Sequence, residues 1–260
     1  MKRVALFKST ANYWPQAQLA INSFRQWNPN WEVHVMNEGY DTPYRTHWFR
    51  DKDWMVTAQY VTMIQLLESF QADQVLIIDS DTYTYGPYVE AEQELETASI
   101  LVTPHVTKPL PLERGEPSLQ QIARMGNYNA GFIGATREGL PFLRFVREWA
   151  AAHPVLDDVN YIAGEQGWLR FACDFDEKAR VFRHPGYNYA YWNADLKHLE
   201  SMGHGRWLVD GKPLRMVHFS GLVRGLDPAK LSRYQNRKRW ASSTPEYRLY
   251  AEYLSKLERL

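Results

Sequence analysis

The first half of the chain alternates two kinds of apolar pattern. Short apolar runs at residues 4–7, 32–36 and 75–78 predict strands. Within residues 14–24 and 60–70, apolar side chains recur three or four positions apart, which predicts helices that each bury one face. A strand is therefore followed by a helix, then by a strand, and the order repeats.

Further strands are predicted at residues 99–103 and 129–135. The run at residues 75–78 contains only apolar side chains, as in a parallel sheet whose two faces are both covered by helices. This order predicts a three-layer α/β domain. A polar loop fills residues 38–53. The second half is rich in loops, with a hairpin turn at Asp210-Gly211 and two helices near the C-terminus.

Composition narrows the class of protein. Hydrophobic residues make up 45% of the chain and charged residues 23%, as in a folded protein. Thirty basic residues balance thirty acidic ones, which disfavours a nucleic-acid partner because such proteins are usually basic. The single Cys173 excludes an intramolecular disulfide. With no stretch resembling a signal peptide or a membrane span, we expect a cytoplasmic protein.

Polar residues that follow the strands are candidates for a site, because open parallel sheets bind ligands beyond the carboxyl ends of their strands. Lys8 follows the first strand, and Asp79 and Asp81 follow the run at 75–78. Two carboxylates on one side of an extended chain, with no cation nearby in sequence, are costly unless a cation neutralises them. Such oxygen ligands favour Mn²⁺ or Mg²⁺. The alternative is a solvated turn in which Asp79 caps backbone amides.

Two further motifs carry amide groups. Small residues after Asn129, namely Ala130 and Gly131, allow a backbone to approach a ligand, although they also fit a strand with a bulge. Glu165-Gln166 places a carboxylate beside an amide in a predicted helix, which suits sugar hydroxyls or a cationic centre. An exposed helix face is the alternative.

A histidine and an arginine follow the hairpin turn. His218 ends an alternating strand, where its imidazole would complete a Mn²⁺ site, or would simply be a hydrogen-bonded core residue. Arg224 lies three residues beyond Gly221, where its guanidinium would clamp a phosphate or remain solvated.

The second half also contains an aromatic run at residues 187–192 and a basic stretch at residues 230–239. Aromatic faces suit sugar rings, and Asn193 adds an amide after Trp192, although some of these rings are expected to fill a core. The basic stretch would contact nucleic acid or an anionic membrane surface, or form a solvated helix face.

The order of these motifs along the chain resembles that of nucleotide-sugar glycosyltransferases of the GT-A fold. It is most similar to the glycogenin and lipopolysaccharide galactosyltransferase (family 8-like) group of retaining enzymes. The resemblance covers residues 1–225 and implies a Rossmann-like three-layer α/β/α domain. Residues 226–260 are then a helical extension packed on the same domain.

The resemblance implies a metal-dependent transfer from a nucleotide-diphosphate sugar, most of all a UDP-sugar, to a glycan or glycolipid, with retention. Two alternatives are transfer to modified nucleic-acid bases and carbohydrate binding without transfer. The metal ligands would be Asp79, Asp81 and His218, with Mn²⁺ or Mg²⁺. Glu165 and Gln166 would be catalytic. We assign donor binding to Lys8, Thr10, Ala11, Asn12, Tyr13, Ser80, Asn129, Ala130, Gly131, Ser220, Gly221 and Arg224, and acceptor binding to Tyr191, Trp192 and Asn193.

Four departures separate this sequence from the family pattern. Glu165 stands where the family has Asp, and Arg224 stands where it has Lys. The Pro-Trp pair that follows this Lys in the family is absent, and no Arg lies around Gln59 to match the one that usually precedes the Asp-x-Asp motif.

Overall fold

The computed structural model describes residues 1–48, 52–152 and 164–260. The strands in these ranges are β1 Arg3–Lys8, β2 Glu32–Asn37, β3 Arg45–Trp48, β4 Gln74–Asp79, β5 Thr82–Thr84, β6 Ile100–Pro104, β7 Tyr128–Thr136, β8 Arg180–Val181, β9 Tyr189–Ala190, β10 Leu199–Ser201, β11 Trp207–Val209, β12 Lys212–Pro213 and β13 Met216–His218. The helices are α1 Trp14–Trp27, α2 Lys52–Glu68, α3 Val89–Glu94, α4 Leu119–Met125, α5 Leu140–Ala152, α6 Gly164–Leu169, α7 Ala172–Phe175 and α8 Pro245–Glu258.

Seven strands form the central sheet in the order β3-β2-β1-β4-β7-β6-β8. Neighbours run parallel except for β7, which is antiparallel to both β4 and β6. The register of β1 and β4 runs from Arg3 opposite Gln74 to Lys8 opposite Asp79. The last residues of these two strands are therefore side by side at one edge of the sheet.

Side chains of β1 alternate between two buried faces of the sheet. Val4 and Leu6 belong to a core cluster with residues of α2 and α5, whereas Ala5 and Phe7 belong to a cluster with residues of α1. Helices thus cover both faces, and the predicted three-layer α/β architecture is confirmed.

Aromatic side chains of the second half form a third core cluster together with α8. The ring of Tyr253 on α8 stacks on Phe219 with centroids 3.8 Å apart. In the same region β13 pairs antiparallel with β5 and parallel with β9. This small sheet joins the end of β4, through β5, to the second half of the chain.

Three local expectations can be compared with the structure. The hairpin turn at Asp210-Gly211 is confirmed, with both residues at positive φ between β11 and β12. The expected loop at residues 38–53 contains β3, a polar edge strand that has no apolar run to reveal it. One C-terminal helix, α8, is present, and the segment before it has only a 3-10 turn at Pro228–Lys230.

Helix ends in the described ranges follow local sequence signals. The hydroxyl of Thr244 caps α8 by accepting a hydrogen bond from the Tyr247 amide, and Ser118 caps α4 in a reciprocal arrangement with Gln121. None of the helices in the described part of the chain is long and apolar enough to cross a membrane.

Candidate active site

Two carboxylates and an imidazole meet where β4 ends. Asp79 is the last residue of β4, and Asp81 lies in the turn that leads to β5. Because β13 pairs with β5, His218 lies opposite Thr82 and reaches both carboxylates. Its Nε2 is 2.9 Å from Asp81 Oδ1 and 3.6 Å from Asp79 Oδ2. One potential ligand atom from each residue lies within 4.8 Å of the others.

The orientation of the His218 ring is set by its other nitrogen. Nδ1 lies 3.3 Å from Asn188 Oδ1, an atom that only accepts hydrogen bonds, so Nδ1 donates to Asn188 and Nε2 faces the carboxylates. Burial by itself would lower the pKa of His218, but the charge of Asp81 and its hydrogen bond raise it overall. Burial raises the pKa of Asp81, and His218 and Lys8 more than offset this, so the pKa lies below its usual value.

Lys8 supplies a cation to this cluster from a neighbouring strand, although no cation lies near the two aspartates in sequence. Its Nζ is 2.9 Å from Asp79 Oδ1 and donates to Gln59 Oε1 at 2.9 Å. The pairing follows from the register of β1 and β4, which brings residues 71 positions apart together. Lys8 also provides the positive charge next to Gln59, where the sequence has no Arg.

The chemistry of the donor set fits a hard divalent ion. Two carboxylates with one imidazole suit Mn²⁺, whereas a zinc site built of thiolates is excluded here because no Cys belongs to the cluster. In the described residues this is the one group of three His, Cys, Asp or Glu side chains close enough to share an ion. Asp79, Asp81 and His218 are the residues that would hold the metal.

The cluster lies between two concave surfaces, both of which include Lys8, Asp79 and Asp81. We call the larger one the main cavity; its volume is about 640 Å³. The smaller one, the side cleft, has a volume of about 310 Å³. A ligand bound across the cluster would therefore reach into both.

Most residues predicted for donor and acceptor binding lie on these surfaces. The side cleft is lined by Thr10, Asn12, Tyr13 and Ser80 from that prediction. The main cavity is lined by His218 and by the predicted residues Asn129, Ala130, Gly131, Gln166, Tyr191, Trp192 and Ser220. The structure thus brings residues from the whole length of the chain to one place.

The Gln166 carboxamide is held at the wall of the main cavity by β7. Its Oε1 accepts hydrogen bonds from the Ala130 amide at 3.1 Å and from Asn129 Nδ2 at 3.3 Å. Asn129 in turn accepts from the Gly131 amide through Oδ1 at 3.0 Å. The side chain of Glu165, the other predicted catalytic residue, lies outside the described residues.

Four predicted residues line neither surface. Arg224 is exposed, and its Nη2 donates to the Leu257 carbonyl at 3.0 Å, so the guanidinium caps the end of α8 instead of facing a phosphate. The Ala11 amide donates to Glu38 Oε1 at 2.9 Å. Gly221, at φ +71°, packs against Tyr234.

Asn193 is the fourth of these residues, and it has a structural role. Its Oδ1 accepts from the Ala190 amide at 3.0 Å, and its Nδ2 donates to the carbonyls of His105 and Asn188, each at 3.1 Å. All of its side-chain polar atoms are engaged in these bonds. The expectation that its amide reads acceptor hydroxyls is therefore not met in the structure.

The basic stretch contributes residues to the main cavity that the sequence analysis did not assign to donor or acceptor binding. Arg233 and Tyr234 line it, with Arg233 Nη2 donating to the Tyr234 hydroxyl at 2.6 Å. Arg237 instead turns inward and shares Asp195 with Arg114. Because the segment is irregular, helical periodicity gave no signal for which of its side chains face the cavity.

Comparison with known proteins places the fold. The sequence matches no protein-family model and no curated protein. Among solved structures, the glycosyltransferase GlyE of Streptococcus pneumoniae TIGR4 matches with a TM-score of 0.56 at 16% identity. That match covers 100% of this chain and 63% of GlyE, so the chain spans less than two thirds of its length.

A second structure, a glycosyltransferase involved in the glycosylation of the major capsid of PBCV-1, matches with a TM-score of 0.55 at 10% identity. The match covers 99% of this chain and 100% of that one. The apo form of GlyE also matches, with a TM-score of 0.55 at 15% identity. This chain, a mixed α/β structure around a mostly parallel sheet, has the fold of glycosyltransferases.

Proposed function

We propose that this chain is a metal-dependent glycosyltransferase that moves a sugar from a UDP-sugar to a carbohydrate-type acceptor, with retention. The observation that carries the proposal is the cluster of Asp79, Asp81 and His218 at the end of β4, between two ligand-sized surfaces, in a glycosyltransferase fold. Retention rests on the family resemblance alone.

The two surfaces have different parts in this proposal. The side cleft, with Thr10, Asn12 and Tyr13, takes the nucleoside of the donor. The diphosphate lies at the candidate metal site, whose two aspartates line both surfaces. The main cavity takes the donor sugar and the acceptor, and its rings Tyr191 and Trp192 offer flat faces to a sugar.

Each part of the site has a role in this reaction. When bound, the divalent ion supplies Lewis-acid stabilisation of the departing diphosphate. Lys8 and Arg233 add positive charge around the same leaving group. The amides of Asn129 and Gln166 bind sugar hydroxyls and support the cationic anomeric centre, and Glu165 would assist Gln166.

The acceptor is proposed to be a carbohydrate and not a nucleic acid. Arg237 and Arg239, two of the basic residues of the 230–239 stretch, form ion pairs with Asp195 and Asp227. Both guanidinium groups are already engaged with carboxylates of the protein, so they are less available to a phosphate backbone. The overall charge of zero points the same way.

The test is to measure binding of UDP-, GDP- and TDP-sugars by thermal shift, with and without Mn²⁺, and then hydrolysis of the donor that binds. We expect UDP-sugars to bind best with Mn²⁺ and to be slowly hydrolysed. Asp81→Asn should abolish Mn²⁺-dependent binding and hydrolysis, because it removes a charged ligand. A carbohydrate-binding protein without transfer would show no hydrolysis.

Asp174→Asn is the matched control, because Asp174 is exposed on α7 and lines neither the main cavity nor the side cleft. This variant should bind and hydrolyse as the wild type does. Full activity of Asp81→Asn, or of wild type treated with EDTA, would contradict the proposal.

A further inference from the structure

The ammonium of Lys8 lies beside the carboxylates of the candidate metal site, so a metal bound there would share the Asp79 carboxylate with Lys8. Nζ contacts Asp79 Oδ1 at 2.9 Å, while Asp79 Oδ2 is directed toward His218, 3.6 Å away. The two oxygens of one carboxylate therefore face different partners. Asp79 would hold a metal together with Asp81 and His218 while its carboxylate also pairs with Lys8.

The position of this ammonium is fixed by neutral oxygens. Gln59 Oε1 accepts from Nζ at 2.9 Å, and Gln59 is completely buried on α2. Nζ also donates to the Ala130 carbonyl at 3.4 Å. Lys8 itself is 9% exposed. These contacts hold the ammonium beside the two carboxylates.

The charge of the cluster follows from these contacts. Two carboxylates attract a metal through their negative charge, and the ammonium of Lys8 beside Asp79 offsets part of that charge. The affinity of an oxygen site for a divalent ion depends on the number of charged ligands, and like charges a few ångströms apart repel strongly in a partly buried site. Lys8 should therefore weaken binding of a free divalent ion.

A nucleotide diphosphate would offset the weaker metal binding that Lys8 causes. Lys8 lines both the main cavity and the side cleft, so a diphosphate across the cluster would bring negative charge next to Lys8 and the metal together. We propose that Lys8 is a built-in counter-ion that makes metal binding depend on the nucleotide diphosphate, so that the two bind as a coupled pair. This inference rests on the proposed function.

The experiment measures Mn²⁺ affinity by titration calorimetry, without nucleotide and with saturating UDP. For wild type we expect weak binding of free Mn²⁺ and an affinity higher by about tenfold or more with UDP. Lys8→Met, which keeps the length of the side chain and removes its charge, should bind free Mn²⁺ about tenfold more tightly than wild type. The enhancement by UDP should fall by a similar factor. Lys8→Arg, which keeps the charge, should retain the wild-type coupling.

A second measurement, the melting temperature with and without Mn²⁺, tests the inference even where Lys8→Met is less stable than wild type. Without Lys8 the two carboxylates repel each other, so Mn²⁺ should raise the melting temperature of this variant more than that of wild type. If Lys8→Met binds free Mn²⁺ no more tightly than wild type, the inference is wrong. If wild type binds no Mn²⁺ with or without UDP, the proposed function fails instead.

Discussion

A Cβ atom at position 131 would lie 2.5 Å from Cε1 of His218, so the imidazole occupies space that only a glycine leaves open. The same atom would lie 2.7 Å from Asp79 Oδ2. Gly131 is on β7, whose antiparallel pairing with β4 brings it alongside the candidate metal ligands at the end of β4. The small residues of the Asn129-Ala130-Gly131 motif thus allow other groups to pack closely against the backbone. At Gly131 these groups are the side chains of His218 and Asp79.

Gly131→Ala should therefore displace His218 or Asp79 and weaken Mn²⁺ binding. Losing one of three ligands removes a charge-assisted contact, so we expect a loss of about tenfold or more. Calorimetry in the presence of UDP measures it. Gly134→Ala is the control on the same strand, where a Cβ would contact Leu95 and Leu101 at 3.1 Å. It should cost about 1–3 kcal/mol of stability with Mn²⁺ affinity unchanged. Wild-type affinity in Gly131→Ala would contradict this view of the site.

A second prediction distinguishes two arginines as the phosphate clamp. The sequence pointed to Arg224, but the main cavity is lined by Arg233. Arg233→Ala should weaken UDP binding in the presence of Mn²⁺ by about 1.5 kcal/mol, or tenfold in Kd, as for a hydrogen bond to a charged group. Arg224→Ala should leave this Kd unchanged. The reverse pattern would restore the original assignment.

Trp192 is both a core residue and part of the cavity wall. It is 4% exposed, its ring lies 5.1 Å from that of His218, and its Nε1 has no hydrogen-bond partner within the described residues. Trp192→Phe keeps most of the apolar contact but removes the N–H group. If that group binds the acceptor, sugar transfer should fall by about 1 kcal/mol, or roughly fivefold, while donor hydrolysis is unchanged.

Trp192→Ala should also lose about 3–5 kcal/mol of stability, because it truncates a buried aromatic side chain. Trp27→Phe, at an exposed position of α1, is the control for the conservative change. Normal transfer by Trp192→Phe would show that Trp192 serves packing alone.

Stability should fall as the pH drops below neutral, and His105 should account for part of the fall. Burial lowers the pKa of His105 to about 4. As the pH falls, the unfolded chain, in which a histidine has a pKa near 6.5, takes up a proton before the folded chain does. The contribution of His105 to the free energy of unfolding is therefore complete above about pH 6.5 and is lost toward pH 4. The loss for one such residue is at most about 3 kcal/mol.

Urea unfolding at several pH values measures this slope. His105→Gln should flatten it, whereas His204→Gln, at an exposed position, should leave it as in the wild type. An equal slope in wild type and His105→Gln would assign the acid sensitivity to other groups.

The elements with strong periodicity were predictable, and the pairings between them were not. The run at residues 75–78 identified β4, and Asp79 and Asp81 stood out because they follow it. That Lys8 pairs with Asp79 depends on β1 being the neighbour of β4, which the sequence pattern does not encode. Once a parallel β1-β4 pair is assumed, however, two strands that end on Lys and Asp already suggest the ion pair.

Residues that lie in irregular segments were the hardest to place. Arg224 and Arg233 are both basic residues near the C-terminus, and no period distinguishes the one that faces the cavity from the one that caps α8. For Asn193, the sequence shows an amide beside aromatic rings. Its three hydrogen bonds to backbone groups depend on a fold of residues 188–193 that only the structure reveals.

The ion pairs of Asp195 have a consequence for the order of assembly of the molecule. Asp195 binds Arg114, 81 positions before it, and Arg237, 42 positions after it. Arg114 and Arg237 also donate to the carbonyls of Trp192 and Tyr191, whose side chains line the main cavity. During synthesis the contacts of Arg237 with this wall can therefore form only after residue 237 has been made, whereas β1 and β4, which carry Lys8 and Asp79, are complete much earlier.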